Sequence, residues 1–240
     1  MYHNLELTLN IQFESIWYTG SGEADILTDR LLQKDARGRP YFPASTLKGV
    51  IRESCEKLSR TLNFPEPSDP HSIDMNLPGA FGPLCHAPSP VDRLFGNKFE
   101  EGGLYFRNAY PIDNTDHVDR FTHIRSRVKM HRKLGTVKEK HLFTTEYAFP
   151  MTFESKLSAS HRNLAIFEET DPPFAYCLLI AAIKMVDRLG GDKSTGAGHL
   201  HQPISITQMI YNDTPFSADT FLKEKGEVYL DASDYQEMRE

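Results

Sequence analysis

The clearest rhythm in the chain lies near its start. Leu5, Leu7, Leu9, Ile11 and Phe13 alternate with Glu6, Thr8, Asn10 and Gln12. A period of two predicts a strand with one buried face. Thr19-Gly20-Ser21-Gly22 ends it. Residues 23–37 set charges around Ile26, Leu27, Leu31 and Leu32 and predict no regular element. A turn at Gly38-Arg39-Pro40 follows. Leu47, Val50, Ile51, Cys55 and Leu58 then recur at helical spacing, which predicts a helix over Thr46–Leu62 with Ser45 as its N-cap.

The rhythm lapses over residues 63–92, where Pro65, Pro67, Pro70, Pro78, Pro83, Pro88 and Pro90 punctuate the chain. No self-sufficient core precedes this stretch, so it reads as a long insertion. Leu104-Tyr105-Phe106 begins a further strand, and Thr122–Met130 alternates weakly. Leu134-Gly135-Thr136 suits a hairpin tip. Phe143–Leu157 holds one or two strands around Pro150. Phe174–Leu189 is an apolar-rich helix, and Leu200–Met209 a closing strand. The order strand, helix, strands, helix, strand predicts an α+β, ferredoxin-like (RRM-like) core over residues 1–212, with a long insertion at about 63–92. Sheets of this kind often bind RNA on one face.

Composition changes the picture in three ways. With 39% apolar residues the 240-residue chain can bury a core, yet no apolar run is long enough to span a membrane. Met1-Tyr2-His3-Asn4 lacks the basic start and apolar stretch of a signal peptide. Cys55, Cys85 and Cys177 are odd in number and far apart, as expected of free thiols in a cytoplasmic protein. The net charge of −6 speaks against a polyanionic partner, but its distribution does not. Arg120–Lys140 holds eight Lys/Arg and one acid, whereas 213–240 holds eight acids and three bases, an acidic C-terminal extension. A basic middle can face a polyanion while an acidic end stays in solvent.

Two motifs carry candidate chemistry. Gly38-Arg39-Pro40-Tyr41-Phe42-Pro43-Ala44-Ser45-Thr46-Leu47-Lys48-Gly49, followed by Val50-Ile51-Arg52, leads a turn into a helix whose start offers unpaired N–H groups to phosphates. Lys48 runs against the preference for acids near a helix start, as if it served an anion. Ordinary capped helices also carry such residues. The second motif, Arg188–Gly198, has four glycines, Gly190, Gly191, Gly196 and Gly198, around Lys193, Ser194 and Thr195. Glycines let backbone amides approach phosphates. The loop leaves a helix and lacks the G-x-x-x-x-G-K-[ST] order, so it is no Walker loop. A flexible connection opened by a glycine C-cap is the plain alternative.

Together these segments resemble the RAMP superfamily of CRISPR-associated proteins, in particular the repeated backbone subunit of type III effector complexes. The family's Pro-x-x-Pro-x-Ser-Ser-Leu-Lys-Gly segment stands here as Pro40–Gly49, with Thr46 in the second Ser place. Its Leu-Phe-Gly segment is Leu94-Phe95-Gly96, and its glycine-led strand is Gly103–Ala109. The arginine-bearing strand is Ile124-Arg125-Ser126-Arg127, the Phe-x-x-Glu strand Phe143–Glu146, and the terminal glycine loop Leu189–Gly198. The order holds from about residue 5 to residue 207.

The resemblance implies binding of a CRISPR guide RNA and complementary target RNA, beside other effector subunits and copies of this chain or close paralogues. It implies RNA contacts from Ser45, Thr46, Lys48, Arg52, Arg125, Arg127, Lys129, Gly190, Gly191, Lys193, Ser194, Gly196 and Gly198. It places a hairpin "thumb" at about 118–142. In active members an acid upstream of the Pro-rich turn cuts the target, six residues before a second Asp; Asp29 and Asp35 match, which makes Asp29 the catalytic candidate. RNA supplies its own 2′-OH nucleophile, and Asp29 would serve as a weak base or hold Mg²⁺ or another divalent cation, with Arg30 or a nearby lysine at the phosphate. A non-catalytic structural subunit of the same kind of complex is the alternative. A guide-processing nuclease would need a histidine base near the first helix, and none lies between His3 and His71. His71, Cys85 and His86 in the insertion are poorly spaced for tetrahedral zinc, so zinc is not expected. His123, His131 and His141 suit RNA contact or solvent. Trp17 and Tyr18 suit either a base stack or the core.

Overall fold

In the computed structural model, residues 2–68, 89–98, 100–112, 121–131, 133–166 and 171–229 are described. The opening strand β1 spans Tyr2–Gln12. Its alternation buries His3, Leu5, Leu7, Leu9 and Ile11 on one face. On one side it pairs antiparallel with β6 (Thr152–Arg162) along its whole length, from Tyr2↔Arg162 to Gln12↔Thr152. On the other side it pairs antiparallel with β7 (Ser205–Tyr211). β2 (Leu104–Phe106) and β3 (Tyr110–Pro111) flank β6. β8 (Thr214–Phe216) adds to the far edge. The order β2-β6-β1-β7-β8 places the first and third core strands side by side at the centre. That is the expected ferredoxin-like α+β sheet.

The helices cover the apolar face. α1 (Ala44–Thr61) sends Leu47, Ile51 and Cys55 inward. α2 (Pro90–Phe95) is a single capped turn: Ser89 accepts from the Asp92 amide and Asp92 answers at Ser89. α3 (Phe174–Ile183) packs against α1, α2 and α4 (Ala218–Tyr229), so it is apolar and buried nearly all round. Within the acidic stretch from 213, β8 and α4 pack onto the body, with Ala218 and Phe221 buried. Cys55 and Cys177 are free, buried thiols; burial pushes Cys177 up to about 12, and neither is a reactive thiolate.

Several predicted boundaries move. α1 starts two residues early, with Pro43 at the N-cap and no side-chain cap of its own, so Ser45 lies inside the first turn. The helix predicted over Phe174–Leu189 ends at Ile183. Met185 N–H bonds Ala182 and Val186 N–H bonds Ile183, and the chain turns away. Val186 and Leu189 still reach the core, now from a loop, which is why their spacing mimicked a longer helix. The closing strand runs Ser205–Tyr211 rather than Leu200–Met209. Phe143–Leu157 divides into two strands at Phe149–Met151. His71, Cys85 and His86 lie outside the described residues, as do 230–240.

β4 (Thr122–His131) and β5 (Thr136–Ala148) pair with each other as a two-stranded ribbon outside the main sheet, and isolated bridges from Trp17 and Arg30 flank β5 at its root. Its tip falls at Leu134-Gly135, where Gly135 has φ 64°. The register breaks between Val128 and Met130, and none of the described side chains of the arm beyond the root is buried. A ribbon with no buried face explains the weak alternation of this stretch.

Candidate nucleic-acid interface and cleavage site

The root of the ribbon is where the chain gathers its candidate residues. Trp17 exchanges two backbone bonds with Ala148, and Arg30 exchanges two with Thr144 and Glu146. These bonds lay the stretch around residues 16–32 along β5 and hold Asp29 beside Thr144. Asp29 Oδ2 accepts from the Thr144 amide at 2.7 Å and lies 2.9 Å from its hydroxyl, while the Asp29 amide donates to Thr144 Oγ1 at 3.0 Å. The Thr144 amide, then its hydroxyl, holds the Asp29 carboxyl below the usual carboxylate range. The side chain is exposed, so the result is an anchored, ionised carboxylate facing solvent.

Next to it, Arg30 lies over the Tyr18 ring, 4.7 Å from its centroid. Its NH1 is 3.5 Å from Asp192 Oδ1. Arg127 reaches the other Asp192 oxygen at 3.4 Å, and also donates to Thr195 Oγ1 at 3.2 Å. The Tyr147 hydroxyl donates to Asp192 Oδ2. Arg125 and Arg127 both sit over the Tyr147 ring. Burial opposes the charge on Asp192, but Tyr147 and the two arginines outweigh it and hold the carboxyl low. Burial and that same carboxylate push Tyr147 up to about 12.

The glycine loop is therefore part of this junction. Lys193–Thr195 form a 3₁₀ turn between Asp192 (φ 58°) and Gly196 (φ 88°). Gly191 N–H donates to the Tyr18 carbonyl and Gly198 N–H to the Ile16 carbonyl, each at 2.8 Å. Residues 16–18 are thus clasped between the ribbon root and the loop. A Cβ on Gly190 would stand 2.4 Å from the Tyr18 oxygen, and one on Gly198 2.0 Å from the Leu189 oxygen. Gly196 N–H donates to the Lys193 carbonyl. The loop turns its Lys193, Ser194 and Thr195 side chains toward solvent, Lys193 near enough to help hold the Glu53 carboxyl low.

The lysine turn stands apart. The Ala44 amide donates to Asn108 Oδ1 at 2.8 Å, so the helix start is capped from the link between β2 and β3, which the isolated Phe42↔Ala109 bridge holds against it. Thr46 N–H bonds Pro43. Half-buried Lys48 lies in a cleft of about 450 Å³ with Arg52, Phe95, Lys98 and Tyr105. Arg52 is committed within the fold. It pairs with Glu56 at 2.9 Å and donates to the carbonyls of Gly96 and Ser68. Lys193 instead lines a cleft with Val50, Glu53 and Lys57. Asp35 closes its own turn through Arg39 and the amides of residues 37 and 39. Lys34 pairs with Glu146. Trp17 is fully buried against Phe13, Phe42 and Phe153, which settles it as core. His123 stacks on Phe149 and Tyr147, His131 is exposed, and Lys129 extends from the ribbon arm.

The profile of the RAMP superfamily matches residues 10–201. The chain belongs to the RAMP superfamily. No curated protein matches it. As a RAMP protein it is a CRISPR-associated, RNA-binding protein that works with CRISPR complex partners. No described helix is long and apolar enough to cross a membrane. Among the described residues no group of three or more His, Cys, Asp or Glu side chains is placed to hold a metal ion. Asp29 offers one anchored, exposed carboxylate.

Sequence reasoning passed over Thr144, Tyr147 and Asp192 in this RAMP protein. Thr144 and Tyr147 lay inside or beside a recognised strand motif, and Asp192 lay in the glycine loop. Only their partners, 115 and 45 residues away along the chain, reveal their roles.

Proposed function

We propose that this protein is the guide-RNA-binding backbone subunit of a type III CRISPR effector complex, acting in the cytoplasm, and that it cuts complementary target RNA at regular intervals. The observation that carries the reading is Asp29: an exposed, ionised carboxylate fixed by Thr144 at the root of a basic ribbon that carries Arg125 and Arg127. Arg and Lys neutralise phosphates, and a regular array of backbone contacts holds a duplex without reading its sequence. Ile124, Val128 and Leu142 share the ribbon face opposite the arginines and are 56%, 47% and 60% exposed. Apolar side chains of this kind wedge between base steps, which supports the thumb reading. Ser45, Thr46, Lys48, Lys193 and Ser194 supply further contacts along the guide.

Cleavage follows from the substrate's own chemistry. The 2′-oxygen attacks the adjacent phosphorus, the bond to the 5′-oxygen breaks, and the products are a 2′,3′-cyclic phosphate and a 5′-hydroxyl. Asp29 takes the 2′-OH proton, directly or through water; the leaving oxygen takes a proton from solvent. Unstacking the nucleotide lets the 2′-oxygen line up with the leaving group. Arg30 and the ribbon arginines stabilise the charge that grows on the phosphate. A divalent cation held by Asp29 and the phosphate would add charge neutralisation.

The test is Asp29→Ala in the complex purified with its operon partners and its guide. Cutting should disappear while guide and target remain bound. Undiminished cutting at the same positions would remove Asp29 from the chemistry, and absence of any small guide RNA would remove the whole reading. Cutting absent from the wild type as well would leave a structural RNA-binding subunit.

A further inference from the structure

Asp192 is the carboxylate of the junction that lies between two arginines, and it faces inward. Its side chain is 17% exposed, whereas those of Arg30 and Arg127 are 45% and 37% exposed. The carboxylate lies beneath, and the guanidiniums reach past it to solvent. They come from segments far apart in the chain, the Asp29 loop and the ribbon. Two arginines alone would repel one another and scatter over many rotamers. One shared carboxylate, fixed in turn by Tyr147 and by the turn at Lys193–Thr195, removes both costs. Tyr18 beneath Arg30 and Thr195 beside Arg127 fix the remaining freedom.

We infer that Asp192 is a positioning residue that holds Arg30, the neighbour of Asp29 in the chain, and Arg127 together as a clamp for a single RNA phosphate. Each guanidinium keeps N–H groups that Asp192 does not use, and planar forks of this kind suit phosphate oxygens. The clamp's link to cutting rests on the function proposed above; its phosphate binding does not.

The sign of one substitution decides the matter. Asp192→Asn deletes a negative charge yet keeps an oxygen for Tyr147. If Asp192 acted only through its charge, its loss would tighten RNA binding. If it positions the clamp, RNA binding weakens although the protein has become more basic. The first measurement is binding of a single-stranded oligouridylate to the purified chain across a salt series. Asp192→Asn should bind less tightly, with the plot of log K against log salt shallower by about one, the value of a single phosphate. Arg30→Gln and Arg127→Gln should show the same weakening. Adding Asp192→Asn to either should cost little more, because the three act as a unit. Equal or tighter binding by Asp192→Asn, with an unchanged slope, overturns the clamp. The Gln variants, which leave Asp192 in place, keep the test open should Asp192→Asn melt early: an unchanged slope in both overturns it equally. The second measurement is single-turnover cutting by the guide-loaded complex at saturating protein. Asp192→Asn should slow it about tenfold or more. A wild type that does not cut refutes the proposed cleavage and leaves the clamp to stand or fall on the oligouridylate series.

Discussion

Gly196 and Gly198 ask the same thing of the backbone and differ in their surroundings. Both have positive φ, 88° and 77°. Nothing stands within 4 Å of a Cβ at Gly196, whereas one at Gly198 meets the Leu189 oxygen at 2.0 Å. Gly196→Ala should therefore cost about 1 kcal/mol, the left-handed penalty alone. Gly198→Ala should cost about 3 kcal/mol or more, since backbone must shift. Denaturant midpoints of the two variants compare them directly. At Asp29 the residue-scale question is ionisation. Thr144 holds the carboxyl low, so it is charged throughout the neutral range. Thr144→Val keeps the amide donor and removes the hydroxyl, and the Asp29 titration midpoint, followed by carboxyl ¹³C shifts, should move up toward the ordinary value near 3.9. A midpoint that stays put would show that the amide alone sets it.

At the scale of elements, α1 and the ribbon both carry cations, and they use them differently. Arg52 of α1 ties Glu56 to the carbonyls of Gly96 and Ser68. Arg52→Gln should lower stability by about 1–3 kcal/mol and leave the salt slope of RNA binding nearly unchanged. Arg125 and Lys129 are exposed on the ribbon. Replacing both with Gln should leave the melting temperature in place and make the salt slope shallower, by about one for each phosphate no longer neutralised. Melting curves and salt titrations of the two variants distinguish a structural cation from an RNA-facing one. The reverse pattern would exchange the roles assigned to helix and ribbon.

Across the whole molecule, a buried polar chain at one end of the sheet joins β1, β6 and β7 to the helices. His3 Nδ1 is 2.8 Å from the Tyr211 hydroxyl, Tyr176 donates to the His3 carbonyl, and His161 lies between Tyr176 and the Leu94 carbonyl. Burial is the largest cause holding both imidazoles below their ordinary value. The sign follows from linkage: the unfolded chain takes up these protons first as pH falls. Stability is thus full above about pH 6.5 and declines as pH drops through that value. Urea midpoints between neutral and mildly acid pH should show this decline, and His161→Gln should make it shallower. A midpoint that holds steady over that interval would mean that protonated imidazoles are accommodated.

What the amino-acid sequence determined by itself was the order of elements and the family. The period of two in β1, the helical spacing of α1, and the succession from the lysine turn to the glycine loop depend on near neighbours, so they are legible along the chain. Boundaries shifted where tertiary packing used apolar residues from a loop, as at Val186 and Leu189. The exposed carboxylate at Asp29 was legible only through its spacing from Asp35. Tertiary structure alone decided which residues share a site. It clasped residues 16–18 between the ribbon and the glycine loop, separated Lys48 and Arg52 from Lys193, buried Trp17, and set Asp192 beneath two arginines. The physical reason is that charge pairs and close backbone approaches act over a few ångströms of space, whatever the distance along the chain. Asp192 is 162 residues from Arg30 and 65 from Arg127, and no local pattern in the sequence records either pairing.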